Sequence, residues 1–259
     1  MPIEKSSSLH DGALSKVPQV TVAFWAVKIL ATTVGETGGD AFSMTLKLGY
    51  AVSTLLFLAF FCATLAAQVA SRRYHPLFYW AVVVATTTVG TTTSDYLDRT
   101  LGLGYVKSSI ILLCAVLAML AAWRASTGAI AVDHITSRKD ELFYWFTILV
   151  SNTLGTALGD FVASTTGLGF ERGALVFAGL IAIVAALHFF TALPKAALFW
   201  AAYVLTRPLG ATVGDTLTKS HPEGGLGLGR ITSSLVMLAG MVVILALTTR
   251  RRRSPAPPG

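Results

Sequence analysis

The sequence predicts an all-α membrane protein: eight transmembrane helices arranged as four parallel two-helix hairpin repeats around a pseudo-symmetric axis. Three observations predict it. Of the 259 residues, 54% are hydrophobic and only 13% charged, too little polar surface for a soluble chain of this size. Apolar runs near the spanning length of about 20 residues recur throughout. Four tryptophans, Trp25, Trp80, Trp145 and Trp200, each open a copy of one pattern, and internal repetition of this kind marks a repeat architecture.

Ten residues after each tryptophan stands a glycine (Gly35, Gly90, Gly155, Gly210), and fifteen after it an aspartate (Asp40, Asp95, Asp160, Asp215). A glycine turn follows: "KLGY" at 47–50, "GLGY" at 102–105, "GLGF" at 167–170 and "GLGR" at 227–230. Second apolar runs then cover 50–70, 105–123, 170–190 and 231–248. Each repeat thus reads as a pair of spans. Tryptophan spacings of 55, 65 and 55 put the longest connection in the middle. The expected organisation is a disordered lead at 1–15, repeat 1 at 16–72, repeat 2 at 73–126, a central cytoplasmic linker at 127–140, repeat 3 at 141–191, repeat 4 at 192–249 and a basic, proline-rich tail at 250–259.

Lys and Arg in the loops set orientation. Lys5, Lys16, Arg72, Arg73, Arg124, Arg138, Lys139, Lys195 and Arg250 to Arg253 fall on the side shared by both termini, against Lys47, Arg99, Lys107, Arg172, Lys219 and Arg230 on the other. Both termini are therefore expected to be cytoplasmic, with the lipid bilayer as the principal partner. The net charge of +7 is spread over loops and the C-terminus, which argues against nucleic acid. Cys62 and Cys114 have no CxxC partner and suit lipid or core packing. His10, His75, His134, His188 and His221 fall in loops or at helix ends. With no HExxH motif or triad order, no enzyme activity, catalytic residue or cofactor is expected.

At about 100° per residue, positions seven, eleven, fourteen and fifteen after the tryptophan share its face. They are Thr32, Glu36, Gly39 and Asp40; Thr87, Thr91, Ser94 and Asp95; Asn152, Thr156, Gly159 and Asp160; and Arg207, Ala211, Gly214 and Asp215. Such a stripe avoids lipid, because an ionisable group at mid-bilayer costs at least about 2.5 kcal/mol. The four stripes should meet on the bundle axis, with the aspartates in a ring at the outer helix ends. Asp40, Asp95, Asp160, Asp215, Glu36, Thr32, Thr87 and Asn152 are the candidate ion-binding residues, Asp40 and Glu36 the candidate metal ligands. Lys28 and Arg207, each private to one repeat, are candidate charge compensators. The glycines ten after tryptophan read as close helix contacts.

The pattern, and the string "KVPQVTVAFWAVKILATTVGETGGD" above all, resembles a bacterial membrane-protein family of unknown function built from four tandem repeats, each with two transmembrane segments and a characteristic tryptophan. The resemblance covers about residues 16–249 and implies a multi-pass protein of the bacterial inner membrane. "GETGGD" also loosely resembles the Glu-x-Gly-Asp motif of manganese and calcium transporters, one residue longer in spacing. A transporter of a hard cation, either a divalent metal such as manganese or one coupled to protons or sodium, is the expected function. The alternative is a scaffold or sensor whose polar stripes only pack helices. A small inorganic ion is then substrate rather than cofactor, since carboxylate and hydroxyl oxygens suit hard cations.

Overall fold

The computed structural model describes residues 16–71, 74–130, 135 and 137–253. The lead at 1–15, the end of the tail, Lys5, Arg72, Arg73, His10, His134 and part of the central linker lie outside them. Among the described residues there is no strand, and eight long helices account for the fold: α1 (Val22–Asp40), α2 (Gly49–Ala70), α3 (Pro76–Asp95), α4 (Gly104–Thr127), α5 (Arg138–Asp160), α6 (Gly169–Phe190), α7 (Lys195–Thr218) and α8 (Arg230–Arg253).

Local signals explain their starts. The Thr21 hydroxyl accepts from Phe24 N at 3.2 Å to cap α1, and Pro76 occupies the first turn of α3, where its missing N–H is no loss. Ser137 caps α5 by accepting from Asp140 N at 3.0 Å, with Asp140 and Glu141 in the first turn, favourably placed for the helix dipole. Between odd and even helices the chain turns through left-handed glycines: Gly102 and Gly104 (φ 70° and 72°), then Gly167 and Gly169 (φ 73° and 77°). In repeat 1 the first of these positions is Lys47, at φ 57°, a conformation that costs a side-chain-bearing residue about 1–2 kcal/mol.

Packing departs from the expected hairpins. The two helices of one repeat meet little beyond their connecting turn; instead each even helix lies along the odd helix of the next repeat, α2 on α3, α4 on α5, α6 on α7 and α8 on α1. The odd helices close a ring, α1 against α3, α3 against α5, α5 against α7 and α7 against α1. Equivalent residues meet at equal heights, as Tyr79 and Tyr144 do, so the inner helices run parallel. Ser234 near the start of α8 meets Thr37 near the end of α1, so outer helices run antiparallel to the inner helix they cover. A repeat therefore completes its neighbour, and α8 on α1 closes the circle.

Burial follows the same division. Outer helices expose Leu, Val, Ile and Phe along most of their length, while inner helices are buried. Among the described residues, five helices are long and apolar enough to cross a membrane: α2, α4, α6, α8 to Thr249, and α5 with its extension to Thr165. Inner helices α1, α3 and α7 fall below that hydropathy because they carry the polar stripe, which the outer helices shield. Cys62 and Cys114 are exposed on α2 and α4.

Candidate functional site

At the Trp-bearing end the axis is filled by aromatic side chains. Phe24, Tyr79, Trp80, Tyr144, Trp145 and Tyr203 are all buried, and the Tyr79 and Tyr144 hydroxyls bond at 2.8 Å. One turn deeper is Lys28, fully buried, with Nζ 4.1 Å from the centroid of the Tyr203 ring and no hydrogen-bond partner. Expected to neutralise Glu36 or an aspartate, it pairs with neither.

Next comes a layer to which all four inner helices contribute. Arg207 Nη2 donates to Glu36 Oε2 at 2.9 Å, to Thr91 Oγ1 at 2.5 Å and to Thr156 Oγ1 at 2.6 Å. Glu36, Thr91 and Thr156 stand eleven after their tryptophans; Arg207, seven after its own, reaches one turn along the axis to bind them. Arg207 compensates Glu36, and both are almost wholly buried. Thr32 donates to Thr206 O at 3.1 Å and Thr87 to Ala31 O at 3.2 Å, the same interhelix bond in two copies. Asn152 instead donates to Thr86 Oγ1 at 3.0 Å.

The repeated glycines let this layer form. A methyl on Gly35 would collide with Thr87, on Gly90 with Asn152, on Gly155 with Arg207 and on Gly210 with Thr32. Each glycine thus seats the residue seven after the next tryptophan, all round the ring. Helix contacts this close require the absence of a side chain.

Near the far end Asp40, Asp95, Asp160 and Asp215 are 1–3% exposed. Rather than ending a helix in solvent, three of them lead into a π-helical turn, Ala41–Thr45, Tyr96–Thr100 and Phe161–Thr165, while α7 continues to Thr218. Two bases bridge neighbouring copies. Arg99 lies 3.1 Å from Asp95 and 3.5 Å from Asp160; Lys219 lies 3.3 Å from Asp215 and 3.4 Å from Asp40. Arg230 adds a contact of 3.4 Å to Asp40. This layer is twofold rather than fourfold. Asp95 Oδ2 has no hydrogen-bond donor, while Asp95 Oδ1, Asp160 Oδ2 and Asp215 Oδ1 are held only by their ion-pair contacts with Arg99 and Lys219. Beside them the buried Asp98 accepts from Ser94 at 3.2 Å and from Ser108.

Arg99, Lys219 and Arg230 read from the sequence as outer loop charges, yet the repeat grid marks them. Arg99 and Lys219 each stand nineteen after their tryptophan and four after their aspartate, where repeats 1 and 3 have Met44 and Ser164. Arg230 takes the position of Tyr50, Tyr105 and Phe170. Among the described residues, no group of three or more His, Cys, Asp or Glu side chains is placed to hold a metal ion. Asp40 and Glu36 are not joined by a third such ligand. At the starts of the even helices, Ser53, Thr54 and Ser109 hydroxyls are buried without partners.

The fold and axis define a helical repeat protein, four copies of a two-helix unit around a charged core. The model of the family described as Repeat of Unknown Function (DUF347) matches residues 23–74, 78–129, 143–193 and 198–254, each match starting two residues before a repeat tryptophan. The chain belongs to that family. No curated protein and no solved structure matches it.

Proposed function

We propose that the protein is an integral membrane transporter that moves a small ion along the ring axis, with a proton carried by the aspartate ring as the coupling ion. Its location in this reading is the bacterial inner membrane, with both termini cytoplasmic. The observation that carries it is the state of the ring: four buried carboxylates face three bases, an excess of one acid. A buried charge in excess of its partners is costly, and a proton shared among the acids removes that surplus. Intramembrane acids of this kind are typical of proton relays.

Among the hard cations suggested by the sequence, a proton fits best. A divalent metal needs several free oxygens, whereas these carboxylates already have Arg99, Lys219 and Arg230 against them. The scaffold reading also has an observation in its favour, the glycine-seated packing of the ring. Flux separates the two. Purified protein in proteoliposomes, given an inward proton gradient and a panel of inorganic ions, is expected to acidify the lumen in dependence on one of them. Acidification no faster than in protein-free vesicles across the panel would leave the scaffold.

A further inference from the structure

We propose that Lys28 and Arg207 together hold a compact inorganic anion of halide size at the middle of the axis. Lys28 Nζ, Arg207 Nε and Arg207 Nη1 are buried and have no hydrogen-bond partner. Lys28 and Arg207 are each 0% exposed. Their neighbourhood is common: Lys28 Nζ lies over the ring of Tyr203, and Tyr203 precedes Arg207 by one helical turn of α7. Arg207 is close enough to act on Lys28 and has the same sign.

Charge at this depth does not balance. Two bases, Lys28 and Arg207, face one acid, Glu36, whose Oε2 is taken up by Arg207 and Thr91. Buried charges are retained only when paired, and a water would satisfy donors without removing the surplus charge. The hydroxyls around the layer do not serve as that partner, because they are neutral: Thr91 and Thr156 accept from Arg207 without removing its charge. Contact with the Tyr203 ring face favours a charged Lys28, and an anion between Lys28 and Arg207 would hold the ammonium charged against burial and like-charge repulsion. The ligand is small and spherical, since Val83 and Ile148, the residues that correspond to Lys28 in α3 and α5, are buried and offer no polar group.

The site mirrors the aspartate ring, where acids outnumber bases. It stands without the transport reading; where that reading holds, the halide is the ion that accompanies the proton.

The test uses the full chain in detergent, titrated with bromide against gluconate at constant ionic strength. Wild type is expected to show a saturable rise in Tm with bromide. Lys28→Met, which keeps the stem and removes the charge, should lose it, and Lys47→Gly, remote from the axis, should keep it. No bromide dependence in wild type, or an unchanged rise in Lys28→Met, overturns the proposal. Should Lys28→Met fail to fold, anomalous diffraction from bromide-soaked wild-type crystals decides. A peak beside Lys28 Nζ and Arg207 supports the site, and peaks only on the surface refute it. Flux has no part in either readout, so halide binding without proton movement would sink the transport reading alone.

Discussion

Two layers of the axis carry charge, and they are built differently. The aspartate ring comes from a position present in every copy, bridged by bases present in alternate copies, Arg99 and Lys219. The mid-axis layer comes from residues private to single copies, Lys28, Glu36 and Arg207. One layer therefore keeps the symmetry of the repeats at least twofold, while the other abolishes it. Duplication supplies equivalent seats around an axis, and later substitution at a few of them makes one direction or one ligand distinct. The ring has more acids than bases, the mid-axis more bases than acids.

Breaking the mid-axis layer should have the largest effect. Arg207→Gln leaves Glu36 buried without its counter-charge, and the loss of a buried partner costs about 3–5 kcal/mol; thermal unfolding in detergent is the check. Gly210→Ala drives a methyl into Thr32 and is expected to cost up to about 3 kcal/mol by overpacking, read the same way. In the ring, Lys219→Gln should cost about 2 kcal/mol, the scale of a charged hydrogen bond. Arg99→Gln should cost about 1 kcal/mol, because Arg99 is 30% exposed where Lys219 is 7% exposed. Equal losses would show that burial does not separate the two bridges. Smallest, and of opposite sign, is Lys47→Gly: relief of the left-handed φ should stabilise by up to about 1 kcal/mol, visible as a higher midpoint in chemical unfolding.

How much of this the residues disclose depends on what repeats. The tryptophan grid exposed the four copies, and the period of the helix put Glu36, Thr91, Thr156 and Arg207 on one stripe, which the axis then brings into contact. Which helix covers which was not legible, because an apolar outer face fits its own repeat or the next equally well; the swap of α2 onto α3 is decided by turn geometry and packing. Arg99 and Lys219 read as loop charges because the sequence ends each odd helix at its aspartate; a π turn at Tyr96–Thr100 and the continuation of α7 to Thr218 carry the chain past it, bringing the residue four positions later back to the carboxylate. Lys28 stands out in the sequence as a cation private to one repeat, but nothing there says where its flexible side chain goes; it turns to the Tyr203 ring rather than to Glu36 or an aspartate.

The central claim is that the aspartate ring carries the coupling proton. It is tested most directly by lumenal pH in proteoliposomes containing wild type or the Asp95→Asn/Asp215→Asn double variant, which removes the acid nearest each bridging base. The account predicts proton entry coupled to the transported ion in wild type and entry at the rate of protein-free vesicles in the folded double variant. Proton entry undiminished in that variant would contradict it.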